Sequence, residues 1–195
     1  MPLSRFYKCI FIHIPKTAGT SIEKILNTST EADFYSIKPP TLQHLTWAEL
    51  KDKITLDYSE FYKFTVVRNP FERLVSEYEW RRQNTPQILN TLTFEEVVEN
   101  LEILNKISHW DRHLSTQSFF LKDTNGSISK EIEIYKYENL EPLWEKLESI
   151  TKIPKKYYPW SYKTKKNSLL SYYTKDLSKK IREYFHEDFV NFNYE

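Results

Sequence analysis

The residues in this chain best equipped for chemistry cluster around Lys16. Residues 9–14 read Cys-Ile-Phe-Ile-His-Ile, an apolar run that Pro15 ends. Lys16, Thr17, Ala18, Gly19, Thr20 and Ser21 follow, and then Ile22, Ile25 and Leu26 at helical spacing. A strand, a small polar loop and a helix in that order build an anion cradle. Loop N–H groups and the positive end of the helix dipole converge on one point. Lys16 adds a full charge, and Thr17, Thr20 and Ser21 add hydroxyl donors. The ligand implied is phosphate-like. The plain alternative is a decorated strand–helix turn.

Arg68 and Ser76 form a second group. Arg68 follows the apolar stretch Phe-Thr-Val-Val at 64–67, and Ser76 lies two turns into the next helical pattern. A guanidinium and a hydroxyl suit a second phosphate. The alternative is an arginine paired with a local carboxylate and a tolerated helix serine.

Two features narrow the chemistry. The nucleotide-binding pattern Gly-x-x-x-x-Gly-Lys-Ser/Thr is absent, since Lys16 precedes the single glycine of its loop. No acidic residue is evident as a magnesium partner, so no metal site is expected. Both features count against a kinase or ATPase.

The elements that must position these groups read as follows. A strand is expected over 8–14 and a helix over 20–27, with Thr20 and Glu23 as a capping box. A short strand is expected over 33–37, and Pro39-Pro40 forces an extended or turning path. Thr46 and Glu49 predict a capping box and a helix from Trp47, leaving His44 on the preceding loop. A strand over 61–67 runs into Arg68, and Asn69 then caps a helix that opens on Pro70. Phe71, Leu74, Val75 and Tyr78 form that helix's apolar face.

Thr93 and Glu96 open a helix with Phe94, Val97, Val98, Leu101 and Leu104 inward. Residues 105–120 have no clear period. Asn125-Gly126 marks a turn, and 131–137 alternates like a strand. Asn139 is expected to cap a helix carrying Leu140, Leu143, Trp144, Leu147 and Ile150. Residues 154–171 read as a loop, and a last helix covers 174–189 with Leu177, Ile181, Tyr184 and Phe185 inward. Strands alternating with helices predict an α/β fold, a single domain over 1–195 with a mostly parallel sheet. Ligands of such sheets bind beyond the carboxyl ends of the strands, where both Lys16 and Arg68 fall.

Composition sets the outer limits. The 195 residues are 39% hydrophobic and 16% aromatic, enough for one substantial core. The lone cysteine, Cys9, reads as a core residue. Neither a signal-peptide h-region nor an apolar run of membrane-spanning length occurs, so a cytoplasmic protein without a membrane span is expected. Net charge is +1, yet residues 151–182 hold ten Lys/Arg against the single acid Asp176. This basic segment is either an anion-binding wall or a solvated face. Nothing points to nucleic acid as a partner.

Two stretches then carry a resemblance. Ile-Pro-Lys-Thr-Ala-Gly-Thr-Ser at 14–21 and Val-Arg-Asn-Pro-Phe-Glu-Arg-Leu-Val-Ser-Glu-Tyr at 67–78 resemble the two signature motifs of the sulfotransferases. The likeness is closest to the carbohydrate-type branch, with its heparan and chondroitin enzymes and short bacterial members. It continues weakly through Tyr137-Glu-Asn-Leu140 and the region 167–173.

The resemblance implies a P-loop-NTPase-like sulfotransferase fold. It also implies transfer of a sulfuryl group from 3′-phosphoadenosine 5′-phosphosulfate (PAPS) to an acceptor, here a hydroxyl of a carbohydrate or glycoconjugate. Residues 16–21 would wrap the 5′-phosphosulfate, Arg68 and Ser76 would hold the 3′-phosphate, and Lys166 and Asn167 would close over the nucleotide. His44 would be the base and His113 the reserve. His13, His109 and His186 read as packed. Trp80, Arg81, Arg82, Trp110 and Arg112 are candidates for an acceptor pocket, or else core tryptophans and surface arginines.

The chemistry agrees with these residues. Sulfuryl transfer needs positioning and charge stabilisation more than covalent help. Lys16 is placed to stabilise the leaving phosphate. A kinase on a related fold and a non-catalytic anion- or glycan-binding module are the competing readings.

Overall fold

The computed structural model describes residues 3–26, 42–84, 91–107, 112–159 and 169–195. Its centre is a four-stranded sheet in the order β1 (Leu3–Ser4), β2 (Cys9–Ile12), β3 (Tyr62–Val67) and β4 (Glu133–Lys136). β2, β3 and β4 run parallel, and β1 pairs antiparallel with β2. Phe11 lies opposite Phe64, and Val67 opposite Lys136. The α/β architecture with a mostly parallel sheet is therefore as the sequence predicts. β1 was not foreseen; two residues carry no readable period.

Every residue of β2 is buried, as a central parallel strand requires. Ile10 and Ile12 face one core, with Trp47, Leu50, Phe120 and Leu121. Cys9 and Phe11 face the other, with Phe64, Val66, Ile22, Leu143 and Leu147. Burial pushes the Cys9 thiol up to about 12, in keeping with an inert core residue. A third cluster joins Leu74 and Val75 to Phe94, Val98, Leu101, Leu177, Ile181 and Phe185.

Helices α1 (Gly19–Leu26) and α2 (Trp47–Lys53) lie between β2 and β3 in the chain. After β3 come α3 (Pro70–Asn84), α4 (Phe94–Glu99), α5 (Leu101–Lys106) and α6 (Gln117–Leu121). After β4 come α7 (Glu141–Thr151), α8 (Lys175–Tyr184) and α9 (His186–Asn191). Several sequence expectations hold closely. Thr46 with Glu49 and Thr93 with Glu96 both form complete capping boxes. Asn69 Oδ1 accepts from Phe71 N at 3.0 Å, and the turn at Gly126 has φ of 81°.

Others need correction. α1 opens at Gly19, so Thr20 lies inside the helix rather than at its cap, and Glu23 is turned inward. The helix expected from Thr93 breaks at Asn100, whose Nδ2 donates to Glu96 O at 2.8 Å. The last helix breaks at Phe185, where φ and ψ are −98° and 23°. Asn139 does not cap α7. Its N–H closes a turn onto Lys136 O at 3.0 Å, and Leu140 occupies the cap position. The strand expected over 33–37 and the Pro39-Pro40 path lie outside the described residues.

Candidate functional site at the strand ends

The chain leaves β2 through His13, Ile14 and Pro15 and enters a contorted loop. Lys16 and Ala18 both have left-handed backbones, with φ of 69° and 72°. Side-chain-bearing residues pay about 1–2 kcal/mol each for that conformation. Three contacts hold the loop. Thr17 is fully buried and its Oγ1 donates to Ile14 O at 2.8 Å. Ala18 O accepts from the N–H groups of Ser21 and Ile22, at 3.0 and 3.3 Å. Arg73 Nε donates to Pro15 O at 3.1 Å, while its other nitrogens reach Ser115 O and His113 O. Gly19 is needed for space: a Cβ there would fall 1.8 Å from His13 Nε2. Ser21 is buried and Thr20 is exposed.

Arg68 stands at the end of the neighbouring strand. Its backbone N–H donates to Gln117 Oε1 and its carbonyl accepts from Gln117 Nε2, both at 2.8 Å. Gln117 is itself held by Asp188, which accepts from Gln117 N, Ser118 N and Ser118 Oγ. Burial raises the Asp188 carboxyl, and Arg73 together with those bonds opposes the rise. The Arg68 guanidinium donates to Lys16 O at 3.3 Å and to Glu72 Oε2 at 2.9 Å, and lies 4.1 Å from the Tyr137 ring. Its buried Nε has no hydrogen-bond partner among the described residues.

α3 presents two rows to this region. Glu72, Ser76 and Trp80 are spaced by four, so they share one face. Glu72 meets Arg68, and Lys16 Nζ lies 4.6 Å from the Trp80 ring. Ser76, buried between them in the row, shares the face turned to the loop. The second row, Arg73, Glu77 and Arg81, is a buried charged ladder. Burial pulls Lys16 down to about 8; Glu77 resists this and Arg68 and Arg81 add to it.

Three imidazoles meet edge to face beside the loop. His13 and His44 have ring centroids 4.7 Å apart, and His44 and His113 are 4.9 Å apart. The outer two have carboxylate partners: His13 Nδ1 lies 2.8 Å from Glu23 Oε1, and His113 Nδ1 lies 2.9 Å from Glu77 Oε2. His44 has a main-chain partner instead. Its Nδ1 lies 3.1 Å from His13 O, an acceptor, so Nδ1 carries the hydrogen and Nε2 keeps its lone pair. Burial, and then His13 and His113, hold the His44 pKa well below the ordinary histidine value.

A family model described as "Sulfotransferase family" matches residues 3–195. The chain belongs to the sulfotransferase family. Sulfuryl transfer is the chemistry that membership assigns. No curated protein and no solved structure gives a match.

In this sulfotransferase the structure brings Lys16, Arg68, Trp80 and the three histidines to one end of the sheet. Lys166, Asn167, His109 and Trp110 lie outside the described residues. His186, read as packed, is exposed. Two proposed acceptor arginines are engaged elsewhere. Arg81 is buried against Glu77, and Arg112 makes a bidentate pair with Glu49 at 2.6 and 2.8 Å. Arg82 is exposed and pairs with Glu79 at 3.1 Å. Arg73, Glu77, Glu23 and Gln117 were not read from the sequence as site residues, yet they hold the loop, two of the histidines and Arg68.

Among the described residues, no group of His, Cys, Asp and Glu is arranged to hold a metal ion. Nor is any helix among them long and apolar enough to cross a membrane.

Proposed function

We propose that this chain moves the sulfuryl group of PAPS to a hydroxyl of a carbohydrate or glycoconjugate. The observation that carries the reading is the bond from Arg68 to Lys16 O, 3.3 Å across two adjacent strand ends. It brings together the two groups that would bind the 5′-phosphosulfate and the 3′-phosphate. The unpaired, buried Arg68 Nε supports it, since a charged donor without a partner favours an anion.

The 16–21 loop would take the 5′-phosphosulfate. Its Thr17 hydroxyl already donates inward to Ile14 O, so the backbone N–H groups, Lys16 and the exposed Thr20 would be the donors. Arg68 and Ser76 would take the 3′-phosphate, with Glu72 as the carboxylate that must yield or share. Lys166 and Asn167 would close over the nucleotide.

In the reaction, the acceptor oxygen bonds to sulfur as the sulfur–oxygen bond to the leaving phosphate breaks. His44 Nε2 takes the hydroxyl proton; the main-chain bond puts the ring hydrogen on Nδ1, and burial keeps the ring neutral. Lys16 offsets the charge gained by the leaving phosphate. With a pKa near 8 it is charged at neutral pH and close to the range where it can also give up a proton. The carbohydrate acceptor follows from the family likeness.

The test is transfer of radiolabelled sulfate from PAPS to a panel of poly- and oligosaccharides. Labelled product that disappears in Lys16→Ala supports the reading. Nucleotide binding with no transfer to any acceptor would favour a binding module.

A further inference from the structure

One helix grips both supports of His44. Gly19 and Glu23 are four residues apart, so they share a face of α1. The His13 ring lies across that face. Its Nδ1 is 2.8 Å from Glu23 Oε1, and its Nε2 fills the space where a Cβ on Gly19 would fall, 1.8 Å away. The ring is thus fixed at two edges by the helix that opens at the anion loop. The His13 carbonyl, in turn, accepts from His44 Nδ1 at 3.1 Å.

The second support comes from the residue before His44. Gln43 Nε2 donates to Glu23 Oε2 at 3.0 Å and to Glu23 Oε1 at 3.2 Å. One carboxylate therefore ties together the end of β2, which carries His13, and the short 3₁₀ turn Leu42–His44. Two successive residues, Gln43 and His44, both bond back to this His13–Glu23 unit. Glu23 is 4% exposed, and His13 and His44 are 5% exposed each, so little water competes for these bonds. A buried carboxylate pair adds little net stability over apolar residues of like volume. What Glu23 supplies here is direction: it orients two donors from different segments toward one place.

We propose that Glu23 and Gln43 are positioning residues that hold the His44 ring in one place and one tautomer, and so tie it to the helix carrying the anion loop. Neither touches a reacting atom. Their importance for turnover rests on the reading of His44 as the base in sulfuryl transfer. Their hold on the His44 ring does not depend on that reading.

Long-range nitrogen–proton NMR on the full chain, labelled at its histidine nitrogens, reads the ring without substrate. The His44 signals are identified by their loss in His44→Asn. In the wild type they should show a hydrogen on Nδ1 and a bare Nε2. In Gln43→Met, and more so in Glu23→Ala, both nitrogens should move toward values averaged over the two tautomers. Glu23→Gln keeps an oxygen for both donors and should return the wild-type pattern. Gln43→Met, at a half-buried position, serves if Glu23→Ala does not fold. The kcat for transfer from PAPS should fall about 10- to 100-fold in Gln43→Met and Glu23→Ala and recover in Glu23→Gln, as expected for a base displaced by a fraction of an ångström to about 1 Å. Affinity for adenosine 3′,5′-bisphosphate (PAP) should stay unchanged in all three, which separates a displaced base from a disturbed loop. A His44 pattern that is the same in wild type, Gln43→Met and Glu23→Ala overturns the proposal. A pattern that moves as expected, in a chain whose wild type transfers no sulfate, upholds the hold on His44 and removes the reading of His44 as a base.

Discussion

His44 donates through Nδ1 to the main-chain oxygen of His13, 3.1 Å away. That one bond joins the loop before α2 to the end of β2, and it leaves Nε2 of His44 as a base. A histidine oriented by a carbonyl gains less basicity than one oriented by a carboxylate. Burial holds His44 neutral, and the carbonyl bond fixes which ring nitrogen carries the hydrogen.

His44→Asn keeps an amide donor for His13 O and removes the base. Sulfuryl transfer should fall by about 10²–10⁴-fold, the usual worth of a positioned general base. PAP affinity should be nearly unchanged. Steady-state kinetics beside calorimetry separates the two. Wild-type turnover in this variant would pass the role to His113, whose Nδ1 is bound to Glu77.

The same residue makes the fold sensitive to acid. Its pKa is lowered in the folded chain and stands near 6.5 in the unfolded one. Below that value the unfolded chain binds a proton that the folded chain refuses, so stability falls as pH drops through 6.5; above it the effect vanishes. Melting temperature should therefore fall between pH 7 and pH 5, and fall less in His44→Asn. Identical slopes for the two proteins would contradict this.

Gly19→Ala tests the packing of the loop. The new Cβ would meet the His13 ring at 1.8–2.4 Å, and Glu23 and His44 hold that ring in place. Overpacking of this kind costs about 1–3 kcal/mol. For a chain of this size the midpoint of thermal unfolding should drop by about 2–12 °C. An unchanged midpoint would mean that the histidine cluster yields freely.

Gln117→Leu tests the support beneath Arg68. It leaves a buried N–H and a buried C=O unpaired, each at a cost of about 1–3 kcal/mol. Urea denaturation should register a loss of about 2–6 kcal/mol, with weaker PAP binding because Arg68 is less well held. A stable variant with loosened binding would still place Gln117 in the site. A variant unchanged in both would remove it.

The parts legible in the sequence were those with local signals. The apolar run before Pro15 and the one before Arg68 gave parallel strands, and Thr46/Glu49 and Thr93/Glu96 gave helix starts. The Thr20/Glu23 pattern misled because Glu23 had a stronger, distant use: its carboxylate meets His13 and Gln43. Arg73 and Glu77 were passed over, and Arg81 was read as an acceptor or surface arginine, because charged residues on a helix ordinarily face water. Their spacing of four was visible, but nothing local revealed that the row is buried. Gln117 and Asp188 are 71 positions apart, and only the fold brings them together.

The central claim is that the two strand ends bind one nucleotide with a phosphate at each. Isothermal calorimetry with PAP, on the wild type and on Arg68→Ala, tests it most directly. The wild type should bind in the micromolar range. The variant should bind about 10- to 100-fold more weakly, from the loss of charge-assisted hydrogen bonds of about 1.5–3 kcal/mol. No binding to the wild type, or equal binding to both proteins, would contradict the assignment.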